Sequence, residues 1–251
     1  MIFIKPILMN RFFLLFSASL LVITGCMNNK TSEPFSTNDV SPAAIYFDYQ
    51  VRGEEGSDTA TLLIQFRYKT SFGGTLSLDE PCQVELDGEA IAAGSSKMTG
   101  KFYEVQKPIA SLSGKHTIVF TDQNKKRYTE EFSFQPVTLL TPIPDTMSRD
   151  ELVFEFGGLE PGDRMRVVMS DTTYPGQETD LLDTVKNGRL VIQKDEIDSI
   201  MNGPVQLILI RESEIPVKNG TQKEGGRVSF SYSIKREFNL VDSLKRRGLN
   251  K

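Results

Sequence analysis

The 251-residue chain has no tryptophan, one histidine and two cysteines. Each scarcity excludes a class of chemistry. Without tryptophan, a sugar-stacking platform falls to other rings, and the candidates are Phe72, Tyr103 and, in a Pro/Gly loop, Tyr174. With one histidine, a Ser-His-Asp site has to be built on His116. No Gly-x-Ser-x-Gly elbow accompanies it. His116 shares a strand face with Ile118 and Phe120, which reads as a structural position. Two cysteines make no disulfide framework, and one histidine beside them does not complete a zinc site. Phosphate loops and dinucleotide fingerprints are missing: "GGLEPG" has glycines but no Lys-Ser/Thr after them. Long apolar runs are scarce too, with a single one near the amino end.

That run carries Lys5 and Arg11, then Phe12 to Phe16 and Leu20 to Ile23, with no acid before Cys26. A charged head and a greasy middle mark an export signal. At roughly 12 residues the apolar part is short for a membrane span. It ends Ile23-Thr24-Gly25-Cys26. This ending resembles the lipobox of bacterial lipoproteins. The resemblance implies cleavage between Gly25 and Cys26, diacylglycerol on the Cys26 sulfur, and acylation of the new amine. A thiol suits the first step because sulfur is the strongest side-chain nucleophile near neutral pH. Two or three acyl chains anchor firmly where one does not. Met27-Asn28 lacks the aspartate that retains some lipoproteins at the inner membrane, so the outer membrane is expected, with its periplasmic or surface side open.

Removing residues 1–25 takes away Lys5 and Arg11 and no acid, leaving 27 basic against 33 acidic side chains. A mildly acidic protein is a poor nucleic-acid binder. Lys245-Arg246-Arg247 is the one basic cluster, read as a solvated tail. Two acidic groups, Glu54/Glu55/Asp58 and Glu178/Asp180/Asp183, lack calcium-loop spacing and read as solvated charge. No cofactor and no metal are expected.

The rest alternates with period two, the mark of half-buried antiparallel strands. Leu62, Ile64, Phe66 and Tyr68 share a face, as do Cys82, Val84 and Leu86. Cys82 is thereby a small core residue. Asp87-Gly88 and Asn187-Gly188 are hairpin turns. Tyr128, Phe132 and Phe134 anchor another strand, and Leu152, Phe154 and Phe156 another. Met165, Val167 and Met169 follow, and the clearest alternation is Val228, Phe230, Tyr232 and Ile234. One short helix is expected over "KDEIDSIMNG", with Ile197, Ile200 and Met201 on one face. Prolines 136, 142 and 144 interrupt the strands and place a domain boundary near Pro136.

The expected fold is all-β: two tandem immunoglobulin-like antiparallel β-sandwich domains after a signal peptide and a short tether. The expected divisions are signal peptide 1–25, lipidated cysteine and tether 26–41, sandwiches 42–136 and 137–240, and basic tail 241–251. The layout resembles tandem immunoglobulin-like domains in lipoproteins of Bacteroidota-type bacteria. That resemblance implies a membrane-anchored, non-catalytic binding or structural role in the envelope, with a protein or glycan partner. A carbohydrate-binding accessory lipoprotein is the alternative, centred on Tyr174, and a hydrolase comes after it. The recognition loops expected are Asp171 to Val185 and then Glu214 to Gly226.

Overall fold

The computed structural model describes residues 35–150, 152–159, 163–172, 176–220 and 225–242. Cys26, Gly25, Tyr174 and the Lys245-Arg246-Arg247 cluster lie outside the described residues. Among the described residues, alternation becomes strand in eighteen places. β1 (Phe35–Ser36) precedes two 3-10 turns, Thr37–Asp39 and Pro42–Ala44. Then come β2 (Ile45–Glu54), β3 (Thr59–Tyr68), β4 (Leu76–Ser77), β5 (Gln83–Leu86) and β6 (Glu89–Ala90). β7 (Ala93–Ser96), β8 (Gly100–Pro108), a single helical turn Ile109–Leu112, β9 (Gly114–Thr121) and β10 (Arg127–Phe134) complete the first half. The second half holds β11 (Thr138–Leu139), β12 (Thr146–Ser148), β13 (Leu152–Gly157), β14 (Arg164–Asp171) and β15 (Glu178–Thr184). β16 (Arg189–Ile192), the 3-10 turn Lys194–Ile197, β17 (Gly203–Pro216) and β18 (Gly226–Val241) follow.

The strands make an all-β, sandwich-like body. Its main sheet runs β15-β14-β17-β18-β2-β3-β8-β7, and β12 also pairs with β18. Three smaller sheets, β10-β9-β5-β6, β11-β13-β16 and the two-stranded β1-β4, complete the strand pairing. Over the first half, Phe120 of β9 meets Phe47 and Phe66 of the main sheet at ring centroids of 5.4 and 4.7 Å. Phe132 and Phe134 of β10 meet Phe230 and Tyr232 of β18. In the second half, Leu152, Phe154 and Leu190 are buried in the same core as Met165, Met169 and Leu207. Along β18 the buried residues are Val228, Phe230, Tyr232, Ile234, Phe238 and Leu240, so one face of this strand serves both halves.

The small covering sheets change over between Phe134 and Thr138, near the boundary expected at Pro136, but the main sheet does not divide there. β17 and β18 form a hairpin with 14- and 16-residue arms. Residues Gly226 to Ser233 of β18 pair in parallel with Phe47 to Glu54 of β2. The chain from Pro34 onward therefore clusters as one compact unit. Local patterning carries no record of this pairing, because its partners are about 180 residues apart in sequence. On the covered side the changeover is polar: Arg211 holds Asp163 (2.9 Å) and donates to the Gln135 carbonyl (2.7 Å), while Arg236 pairs with Glu55.

Other expectations need correction. Residues 35–41 of the expected tether are folded: β1 pairs with β4, Ser36 Oγ accepts from the Asn38 N–H (3.1 Å), and Thr37 is buried. The expected helix at "KDEIDSIMNG" is a 3-10 turn with a Gln193–Glu196 capping box. Ile197 and Ile200 are buried, but Met201 is exposed, because the turn ends at Ile197 and no helix continues to carry Met201 onto their face.

Candidate functional site

The residues between the buried positions of the main sheet form its other face, and none of the small sheets supplies a described cover for it. Across β14, β17, β18 and β2, register puts Arg164 beside Glu212, Glu212 beside Ser231, and Ser231 beside Arg52. The next row sets Glu214, Ser229 and Gln50 side by side. These residues line a shallow hollow of about 250 Å³ where strands of the two halves meet. A wider hollow of about 540 Å³ lies further along the same face, lined by Ser170, Gln206, Glu237 and Asn239.

The face is held by charge pairs. Arg166 bridges Glu212 (2.7 Å) and Asp180 (2.9 Å), and these two carboxylates push its already high pKa higher. Arg227 reaches Asp48 (2.9 Å) and Glu214 (3.2 Å). Asp48 is only 1% exposed, yet it sits on this polar side. Its carboxylate accepts from Arg67 Nε (3.1 Å), Arg227 Nε (2.9 Å) and Gln50 Nε2 (3.2 Å). A desolvated carboxylate survives in such a place only when its lone pairs are used, and here three donors use them. Tyr46 stands beside it, and burial raises its hydroxyl pKa against the pull of Arg227. Gln65 and Arg67 alternate with Ile64, Phe66 and Tyr68 along β3, and the burial of Asp48 arises from long side chains that fold over it from β3 and β18.

Hydroxyls, amides and both signs of charge suit hydrogen bonding to an extended polar partner. They do not suit nucleophilic chemistry, and the sites tested for it lead elsewhere. His116 Nδ1 is 2.8 Å from Asp87 Oδ2, and the other oxygen of Asp87 accepts from the Thr117 N–H (2.9 Å). The ring lies 5.4 Å from that of Phe132, and buried Nε2 has no hydrogen-bond partner among the described residues. Asp87 occupies the left-handed turn before Gly88. Burial alone would raise its pKa, but the bonds from His116 and Thr117 outweigh that and hold it below the ordinary carboxylate value. A histidine bonded to a turn carboxylate and packed at a tilt against phenylalanine ties a hairpin to its neighbour.

Cys82 is free and buried, and burial raises its thiol pKa, which keeps it unreactive. Among the described residues no group of three His, Cys, Asp or Glu side chains is arranged to hold a metal. Glu54, Glu55 and Asp180 are instead paired with Lys235, Arg236 and Arg166.

The two expected recognition loops are largely structured. Asp171 ends β14 and Glu178 to Thr184 form β15, so the acidic segment is an edge strand. Asp171 Oδ2 accepts from the N–H groups of Gln177 and Met201. In the second segment, Glu214 to Pro216 belong to β17, and buried Glu130 accepts from the N–H groups of Lys218 and Asn219. Of the expected stacking rings, Tyr103 is buried and its hydroxyl accepts from the Leu78 N–H (2.7 Å). Phe72 is exposed. No helix among the described residues is long and apolar enough to cross a membrane.

No protein-family model matches the sequence, and no curated protein matches it. Solved structures give distant likenesses. A tetra-tandem repeat from the extending region of a large adhesion protein is 17% identical, covering 78% of this chain and 50% of that one, with a TM-score of 0.26. A structure from a 1.5-MDa bacterial ice-binding adhesin is 13% identical, covering 81% of this chain and 66% of that one, with a TM-score of 0.25. Murine CEACAM1b is 12% identical over 78% of this chain and 100% of its own, with a TM-score of 0.20. The chain thus spans between half and two thirds of the two adhesin structures. At these scores the fold class rests on the strands and cores described above.

Proposed function

We propose that this chain is a lipid-tethered, non-catalytic module of the bacterial cell envelope, anchored through Cys26 to the outer membrane. Its open sheet face receives a partner. The observation that carries this reading is the open face of the main sheet. It draws strands from both halves of the chain, presents charges and hydroxyls in fixed register, and is stiffened around buried Asp48. The lipobox-like Ile23-Thr24-Gly25-Cys26 supports the tether. The engagement of His116 with Asp87 supports the absence of catalysis, since the sole histidine is committed to a hairpin.

The test places a photo-crosslinking residue at Ser231, in the hollow, and at Thr129, exposed on β10. The acylated protein is irradiated in its native envelope. A discrete adduct from Ser231 that is absent from Thr129, and lost in Arg52→Glu/Arg164→Glu, is expected. Equal adducts from both positions, or none from Ser231, would remove the open face from the reading. Mass spectrometry of the amino-terminal peptide checks the anchor independently: a free Cys26 thiol would overturn it.

A further inference from the structure

Two side chains that ordinarily seek cover stand almost fully in solvent: Phe72 and Met98, each 97% exposed. They belong to different loops. Phe72 lies in the segment between β3 and β4, and Met98 at the tip of the β7–β8 hairpin. Buried polar side chains tie the two loops together. Gln65, 3% exposed, donates through Nε2 to the Thr99 carbonyl (2.9 Å), next to Met98. Arg67 donates to Gln65 Oε1 and, through Nη1, to the Gly73 carbonyl (3.3 Å), next to Phe72. Thr75 Oγ1 accepts from the Lys101 N–H (3.0 Å), closing the circuit.

Both loops are fitted closely enough to demand glycine. A Cβ on Gly73 would collide with the Tyr68 carbonyl oxygen. Gly100 has φ +72°, and a Cβ there would collide with Thr75 Oγ1. The exposure of Phe72 and Met98 is therefore built on a braced platform. Lys69 and Lys97 lie in the same two loops and Lys101 beside them at the start of β8, and none enters an ion pair among the described residues. Lys69 rests its ammonium over the Tyr68 ring (4.8 Å), and apolar tips in loops that carry cations match a boundary with negative headgroups outside and acyl chain inside.

The start of the folded chain supplies the second argument. β1 runs parallel to β4, with Phe35 level with Leu76 and Ser36 level with Ser77. The amino end of β1 is thus on the Thr75 side, toward the Phe72 loop. Cys26 precedes Phe35 by nine residues. A stretched segment of that length reaches about 30 Å at most. An acyl anchor on Cys26 accordingly holds the bilayer within short reach of this corner.

We infer that the Phe72/Met98 tip is a membrane contact, inserting into the anionic lipid surface that receives the acyl chains of Cys26. This deepens the envelope reading and rests on its lipid anchor. The body is then held by two points, the acyl anchor and the braced tip, which fixes which way the open face points.

Because the chain lacks tryptophan, a single introduced indole reports without background. Phe72→Trp, Met98→Trp and, as control, Leu140→Trp are made in the full chain; all three positions are exposed, so folding is not at risk. Each acylated protein is reconstituted into vesicles of phosphatidylcholine with or without phosphatidylglycerol. Indoles at 72 and 98 should shift their emission to the blue and be quenched by bilayer-brominated lipid, more so with phosphatidylglycerol, while the indole at 140 should do neither. A Phe72→Ser/Met98→Ser variant in a Cys26→Ala background should lose vesicle binding by roughly tenfold relative to Cys26→Ala alone. Water-like emission at both 72 and 98 on vesicle-bound protein would overturn the inference. Should Cys26 prove unacylated, coupling its thiol to a maleimide lipid repeats the measurement, since Cys82 is buried. The anchor and the tip thus fail separately.

Discussion

The two halves of this molecule bury different chemistry beneath one sheet. The first half packs rings: Phe47 has Tyr49, Phe66, Phe120 and Tyr128 at centroid distances of 5.8, 5.6, 5.4 and 6.2 Å. The second half packs Met165, Val167, Met169, Leu190, Ile192, Leu207 and Leu209. Its buried Phe154 and Phe156 form no ring pair among the described residues. Tilted and edge-on rings add directional attraction to burial, whereas aliphatic and thioether chains fill space by shape alone. The difference teaches that two unlike cores behave as one structure when they share a strand. β18 delivers Phe230 and Tyr232 to the first and Ile234 and Phe238 to the second.

Breaking either core tests that statement. Phe120→Ala should cost about 3–5 kcal/mol and Leu207→Ala about 2–5 kcal/mol, the first larger because an aromatic leaves the larger cavity. Both should displace a single denaturant transition followed by far-ultraviolet circular dichroism and by tyrosine fluorescence. Two separable transitions in either variant would show that the halves are independent despite the shared sheet.

A narrower change sharpens where the halves meet. Arg211→Met removes the guanidinium from Asp163 and from the Gln135 carbonyl, and should destabilise by about 3 kcal/mol because a buried carboxylate loses one charge partner. Adding Asp163→Leu should restore most of the loss, since two apolar groups replace a desolvated pair at little cost. Urea titration of the single and double variants decides between a pair that stabilises and one that only matches charge.

The smallest effect expected lies in the first half alone. Asp87 has its carboxyl held below the ordinary value, so its contribution is complete above the unfolded carboxylate pKa. It is lost as pH falls through the lower folded value, below about 4. Asp87→Asn keeps a residue suited to the left-handed turn. The stability gap between the wild-type chain and this variant should therefore narrow as pH falls below about 4. A gap independent of pH would mean that the turn, not the charge, is what Asp87 supplies.

Much of this was legible in the residues. Cys82, Val84 and Leu86 alternate in the sequence and alternate in burial, as do Leu152, Phe154 and Phe156. Asp87-Gly88 and Asn187-Gly188 turn where their tolerance of positive φ allows. Less legible was the acidic stretch after Asp171, whose charges read as loop but which forms β15, because an edge strand tolerates and benefits from charge. The candidate face was invisible for another reason. Ser229 and Ser231 stand between the alternating apolar residues of their own strand, and nothing local pairs them with Gln50 and Arg52 of β2.

The sequence by itself determined which side of each strand is buried, because period-two alternation of apolar and polar side chains admits one choice once a core forms. It also determined the turns, because few residues accept a left-handed backbone. Only the tertiary structure decided that β18 bridges both halves, that Asp48 is sealed by Arg67 and Arg227, and that the loops carrying exposed Phe72 and Met98 are tied to each other through Gln65 and Arg67. Those outcomes depend on partners up to about 180 residues apart. Such pairings are chosen by the total surface buried in the finished fold and by loop closure, which no short window of sequence encodes.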